Sequence, residues 1–360
     1  MEKKIKVGVI GVGSIAEMHI AGYKADPRVE LAAFCDINEE RLKEKGERHG
    51  VTRLYTDVKD MVAKEELDAV SVCTWNAAHA PCTIAALEAG LHVLCEKPMA
   101  MNVAEAEAMR DAAKRSGKLL MIGFVRRFGN DCAVVQDFIN EGYFGDLYYA
   151  KATYLRRNGC PGGWFGDKSR SGGGPLIDLG VHVIDLVRYL MGNPKPVSVY
   201  GATFQKLGDR PGIKKGDAYQ SSTTEEKPVF DVEDMASVMI RFDNGAVLSI
   251  EASFSLNIEK DEGKIELFGT KAGAKLDPEL TLYSQQAGYM TNTTIATGTA
   301  LSFDGLFENE IRHFVSCVED GTACRAPAED GVALMTILQA AYESAASGHE
   351  VVLASDLYYL

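Results

Sequence analysis

Two short segments carry side chains suited to moving a proton and steadying an oxygen. The first is Cys95-Glu96-Lys97-Pro98. A lysine here can reach a reacting carbon–oxygen bond, and the glutamate beside it can bind ribose hydroxyls. Pro98 biases Lys97 away from helical geometry and stiffens the loop. The second is residues 172–182, GGGPLIDLGVH. Its glycines permit unusual backbone angles or close approach to a ligand, and Pro175 suits a first helical position. Asp178 and His182 are four apart and share a helix face, with Asp185 as a second acid alongside. A neutral imidazole can take a hydroxyl proton as hydride leaves the carbon, and return it in the reverse direction. On these residues alone the plain alternatives stay open: a surface ion pair at Glu96 and Lys97, and a core or capping histidine at 182.

A third segment offers a place for a hydride acceptor. Gly11-Val12-Gly13-Ser14-Ile15-Ala16 follows an apolar run and opens a helical stretch. Gly11 allows the tight turn, Gly13 lets the backbone approach a pyrophosphate, and Ala16 keeps helix and strand close. With Ser14 and Ile15 these residues bring the free N–H groups of a helix start to the phosphates. Asp36 closes the next strand-like run, twenty-five residues after Gly11, where an acid receives the adenosine ribose hydroxyls. A carboxylate there repels a 2′-phosphate, and no Arg or Lys immediately follows it, so NAD is expected rather than NADP. In the loop 73–79, Thr74 and Asn76 can bond near the pyrophosphate or nicotinamide ribose. His79 either joins them or packs in the first turn of a helix.

These segments need elements to hold them. Apolar runs at 5–10, 29–35, 69–73, 93–95 and 119–122 alternate with helical stretches at 15–25, 39–48, 77–89 and 103–115. Continuous apolar strands between amphipathic helices imply a parallel sheet covered on both faces. Asn102, with Glu105 three residues on, marks a helix start. Beyond Gly123 the pattern changes to strands at 147–154, 196–205, 235–242 and 246–254, the last two joined at Asp243-Asn244-Gly245, a hairpin signal. Further strands are expected at 263–268 and 280–283, a polar loop at 207–227, helices at 306–319 and 328–346, and a closing strand at 351–353. The expected fold is α/β: an N-terminal dinucleotide-binding domain, residues 1–123, and a C-terminal α/β domain, residues 124–360, on a large open, mainly antiparallel sheet.

Composition narrows the partners. With Lys plus Arg at 38 and Asp plus Glu at 51, the formal net charge is −13. That opposes a nucleic-acid binder, which needs a basic surface, and an anionic membrane surface. No apolar run approaches the roughly 20 residues that span a bilayer. The start of the chain lacks the marks of a signal peptide, so a cytoplasmic protein is expected, with its eight cysteines reduced and structural. The seven histidines are scattered, with no HExxH and no CxxC pair, so no metal is expected.

The segments VGVIGVGSIAEMH, CEKPMAMNVAEAEAM, GFVRRF and SGGGPLIDLGVHVIDL, with the tail from Gly321 to Leu353, resemble in order and spacing the glucose–fructose oxidoreductase, inositol dehydrogenase and rhizopine-catabolism (Gfo/Idh/MocA) family. The resemblance covers essentially the whole chain. It implies a dinucleotide-binding (Rossmann) domain, a C-terminal sheet that also serves in subunit contacts, and a homodimer or homotetramer. It implies oxidation of a secondary alcohol of a small polyhydroxylated substrate, a sugar, sugar derivative or cyclitol, or the reverse reduction. The family's catalytic set falls on Lys97, Asp178 and His182, and all three residue types are present. Arg127 of GFVRRF either contacts substrate or cofactor or forms a structural salt bridge. Trp164 either walls a sugar ring or simply packs. Lys168 and Arg170 bind an anionic substrate group or are solvated loop charges. Two other activities accompany the resemblance: glycoside cleavage through transient NAD-linked oxidation, and a non-catalytic sugar- or dinucleotide-sensing regulator.

Overall fold

The computed structural model describes residues 4–208, 210, 212–213, 220–221, 229–296 and 303–353. In the first 123 residues the apolar runs become strands β1 (Ile5–Ile10), β2 (Val29–Cys35), β3 (Arg53–Tyr55), β4 (Ala69–Val72), β5 (His92–Glu96) and β6 (Leu120–Gly123). Between them lie α1 (Ala16–Ala25), α2 (Glu39–His49), α3 (Val58–Lys64), α4 (Asn76–Glu88) and α5 (Val103–Ser116). The strands run in the order β3-β2-β1-β4-β5-β6, every neighbouring pair parallel. All of β4 and the last four residues of β1 are buried, as strands covered on both faces must be. The order reverses between β1 and β4, whose ends Ile10 and Val72 are paired, so the turns after both strands open side by side at the switch point where such sheets bind ligands. The expected cap forms at α5: Asn102 Oδ1 accepts from the Glu105 amide at 2.9 Å, and Glu105 Oε2 accepts from the Met101 amide at 3.0 Å.

The chain continues through a 3-10 turn (Val125–Phe128), α6 (Asn130–Asn140), β7 (Leu147–Leu155), a short α7 (Lys168–Ser171), a π-helical turn (Leu176–Gly180) and α8 (Val181–Leu190). Then follow β8 (Pro196–Phe204), β9 (Met235–Phe242), β10 (Val247–Ser253), β11 (Glu262–Gly269), β12 (Gly273–Leu276), β13 (Thr281–Gln286) and β14 (Tyr289–Thr294). Last come α9 (Phe303–Asp320), α10 (Ala328–Ser347) and β15 (Val351–Val352). The second sheet has nine strands in the order β14-β13-β12-β11-β7-β10-β9-β8-β15. It is antiparallel except between β7 and β10, and the hairpin at Asp243-Asn244-Gly245 joins β9 to β10. Sequence reading overlooks β12 and β14. Four residues are too short for a visible alternation, and β14 lies at the sheet edge with nearly every residue exposed. Most of the loop expected at 207–227 falls outside the described residues.

Helices α8 and α10 cover one face of this sheet. Gly201 of β8 lies against the α10 backbone at Ala341, and its amide donates to Ser344 Oγ at 2.9 Å. The opposite face is less apolar than the strand alternation suggests. Tyr200 and Met239 sit opposite one another and are exposed, but so are Lys151, Arg241 and Glu251.

The compact units do not follow the single cut expected after residue 123. Met1–Phe128 with Phe303–Met335 forms one, and Gly129–Ser302 with Thr336–Leu360 the other. Helix α9 belongs to the first because it packs on α1, where Ile311 fills the space beside Gly22. Asn309 also donates to the Phe128 carbonyl, and the Ile122 amide donates to the Ala326 carbonyl.

Candidate active site

At the β1–α1 turn, Gly11 has φ +81°, and a Cβ there would stand 2.8 Å from the Cys73 carbonyl group. Glycine is therefore required twice over, by backbone angle and by the closeness of the two turns. Asp36 is buried at the end of β2, with Oδ2 accepting from the Val12 amide at 2.9 Å and Oδ1 from the Asn38 amide at 2.8 Å. Each oxygen keeps a further lone pair for a hydroxyl. No acceptor among the described residues takes the amides of Gly13, Ser14 and Ile15 at the start of α1. Free amides at a helix start beside a carboxylate are the donor and acceptor set that a dinucleotide's pyrophosphate and ribose need, so these residues fit NAD. One feature differs from the sequence reading. No basic residue immediately follows Asp36, but α2 carries Arg41 back to 3.6 Å from Asp36 Oδ2.

The β5 end is built more deeply than its sequence suggests. Glu96 is buried; its Oε1 contacts His19 Nε2 at 2.8 Å, and its Oε2 accepts from the Lys97 amide at 3.1 Å. His19 Nδ1 is 3.0 Å from Ser71 Oγ, which also meets the Tyr23 hydroxyl at 2.7 Å. Burial alone would raise the Glu96 pKa, but the bond and charge of His19, with Lys97, hold it below the usual carboxylate range. The carboxylate expected to face ribose hydroxyls is thus engaged inside the domain, where it fixes the backbone of Lys97. The Lys97 side chain is half-buried.

His79 takes the packing alternative. It is buried, with Nδ1 2.7 Å from the Pro98 carbonyl and Nε2 3.1 Å from the Thr74 carbonyl. Burial pushes its pKa down. Both ring nitrogens face backbone carbonyls, one in the loop after β4 and one in the loop after β5, and a neutral ring has one N–H to donate to one of them. Asn76 is buried at the start of α4, and Thr74 Oγ1 donates to the Trp75 carbonyl at 3.2 Å.

In the second unit, residues 172–182 form a tight turn running into a π-helical turn and then α8. Such π turns recur at functional sites. The turn rests on Glu233, which sequence reading missed. Its Oε2 accepts from the Gly174 amide at 2.9 Å, and its Oε1 from the Leu176 amide at 3.2 Å and the Tyr342 hydroxyl at 2.8 Å. Burial raises the Glu233 pKa against the opposing pull of these bonds. From Leu176 to Leu190 every residue is buried except Asp178, His182 and Tyr189. A single carboxylate thus anchors the start of a helix whose buried body leaves an acid and an imidazole, four residues apart, at its accessible margin. Asp185 is buried instead.

Comparison with known proteins decides the family. The model of an oxidoreductase family with an NAD-binding Rossmann fold matches residues 5–124, and that of the same family's C-terminal α/β domain matches residues 136–353. This chain belongs to the Gfo/Idh/MocA oxidoreductase family. It is 34% identical to a D-glucoside 3-dehydrogenase of Escherichia coli strain K12, over 97% of each chain. It is 31% identical to a myo-inositol 2-dehydrogenase of Thermotoga maritima, over 74% of this chain and 73% of that protein. The solved structure of a levoglucosan dehydrogenase with NADH and L-sorbose superposes with a TM-score of 0.86 at 28% identity, covering 98% of this chain and 99% of that one. The protein is an NAD-dependent oxidoreductase.

The remaining sequence candidates of this Gfo/Idh/MocA member divide clearly. Arg127 is buried and paired with Asp330 at 2.8 Å, and it also donates to the Arg325 carbonyl. It realises the structural salt bridge, because β6 and the start of α10 meet in the first unit. Trp164 stacks on Phe165 with ring centroids 3.9 Å apart and packs, partly buried, on the cluster containing Leu179, Ala252 and Phe254. Arg170 pairs with Asp167 at 3.2 Å, and the Lys168 amide donates to Asp231. Among the described residues no helix is long and apolar enough to cross a membrane.

Proposed function

We propose that the protein is a dehydrogenase or reductase acting on a secondary alcohol or ketone of a sugar, sugar derivative or cyclitol. The observation that carries this reading is the helix anchored by Glu233, which holds Asp178 and His182 at an accessible margin. Bound NAD supplies the hydride acceptor. His182 takes the hydroxyl proton and returns it in reduction. Lys97, its backbone steadied by Glu96, stabilises charge on the reacting oxygen. Asp178 fixes a neighbouring hydroxyl. The similar proteins are named for a D-glucoside, levoglucosan and myo-inositol, which supports a polyhydroxylated ring as substrate. Six of the eight free thiols are buried, as suits a reduced, cytoplasmic protein.

The test is a panel of glucosides, anhydrosugars, inositols and keto-sugars assayed with NAD and NADP by nicotinamide absorbance. NAD-linked turnover of at least one such compound is expected, with NADP poorer because Asp36 repels a 2′-phosphate. Asp36→Ala should weaken NAD binding and narrow the preference, with Arg41 left to favour a phosphate. A clear NADP preference in the unsubstituted enzyme would sink the cofactor reading, and no turnover across the panel would sink the substrate class.

The open face of the nine-stranded sheet is proposed to pack a second copy of the chain. Tyr200 opposite Met239, and Tyr149 stacked on Phe268 at 5.6 Å, place large apolar side chains among the charges of that face. Light scattering at micromolar concentration should give the mass of a dimer or tetramer, and Met239→Asp should reduce it. A monomeric mass for the unsubstituted chain would contradict the assignment.

A further inference from the structure

A third group of reactive side chains lies outside both segments described above. His313 and Cys317 sit one turn apart near the end of α9, and Cys324 lies in the loop that follows. One donor atom from each lies within 4.8 Å of the others. His313 Nε2 is 3.4 Å from Cys317 Sγ and accepts from the Arg325 amide at 3.0 Å, so this nitrogen presents a lone pair rather than a proton. The Cys317 and Cys324 sulfurs lie within 4.8 Å of each other. The His313 ring is braced against Phe128, with centroids 5.3 Å apart. Cys317 is buried, while His313 and Cys324 are half-buried and open to an entering ion.

We propose that His313, Cys317 and Cys324 form a binding site for a borderline-soft divalent cation, best matched by Zn²⁺, with water as the fourth ligand. Two sulfurs and an imidazole are the donor set such ions prefer. A tetrahedral ion with bonds of about 2.0–2.3 Å holds its ligand atoms roughly 3.5 Å apart. The Nε2–Sγ pair already has that spacing. Binding releases one proton from each thiol to solvent, and the two thiolate charges balance the cation. His313 exchanges its bond from the Arg325 amide for the metal. The negative end of the α9 dipole favours a cation at this position. The spacing H-x3-C-x6-C matches none of the usual zinc patterns, so sequence alone points to no metal. The ion would staple the end of α9 to the segment whose Arg325 and Ala326 carbonyls accept from Arg127 and Ile122. Its role is structural and independent of hydride transfer.

The experiment uses the full-length protein, kept reduced with a phosphine and titrated with Co²⁺. A thiolate-to-cobalt charge-transfer band is expected, saturating at a single equivalent and displaced by Zn²⁺, with a higher Tm in Zn²⁺ than after chelation. Cys317→Ser and Cys324→Ser should each lose the band, and Cys82→Ser, on α4, should keep it. Should the serine variants fold poorly, alkylation of the unsubstituted protein gives the same answer: Zn²⁺ should shield Cys317 and Cys324 but not Cys82. A reduced protein without the band, a band that survives in both serine variants, or equal alkylation with and without Zn²⁺ overturns the site.

Discussion

His182→Ala is expected to lower turnover by about 100-fold or more while NAD affinity stays near its original value, the pattern for loss of a general base. The substitution removes the proposed proton acceptor from a helix whose start is held independently by Glu233, through the Gly174 and Leu176 amides. The cofactor groups of the β1–α1 turn are left intact. Lys97→Ala should also depress turnover, through loss of charge stabilisation at the reacting oxygen. On the proposed roles of His182 and Lys97, the double variant should lose less than the product of the single losses. Turnover of the three variants, with NAD affinity from titration, checks this. If His182→Ala keeps near-normal turnover at every pH, another group is the base. If it abolishes NAD binding in a folded protein, His182 belongs to the cofactor site.

Gly174→Ala should be strongly destabilising. A Cβ at Gly174 would overlap the Glu233 backbone carbonyl oxygen. No rotamer change relieves a clash with backbone, and moving the turn breaks the Glu233 bonds to Gly174 and Leu176. A destabilisation of roughly 3 kcal/mol is expected, with a Tm lower by roughly 5–10 °C. Turnover should fall even at temperatures where the chain is folded, since the turn sets the start of the helix bearing Asp178 and His182. Calorimetry and kinetics on the same preparation test it, and an alanine variant with unchanged Tm and turnover would show that the turn does not need glycine.

Local patterns determined the dinucleotide unit. Periodicity distinguishes a doubly covered strand from a helix within a few residues, and the glycine turn, Asp36 and the Asn102–Glu105 cap each act over short spacings. Asp178 and His182, four residues apart, stood out as candidates for the same reason. Tertiary structure alone decided which distant groups meet. It brought Arg41 to Asp36, turned Glu96 inward onto His19, gave both nitrogens of His79 to backbone carbonyls, and paired Arg127 with Asp330. It set Glu233 beneath the glycine turn, joined α9 to the first unit, and gathered His313, Cys317 and Cys324. The physical reason is the same in each case. Backbone geometry repeats every two to four residues and writes itself into sequence, whereas the partner of a buried charge is chosen by packing between elements, and no spacing along the chain records that choice.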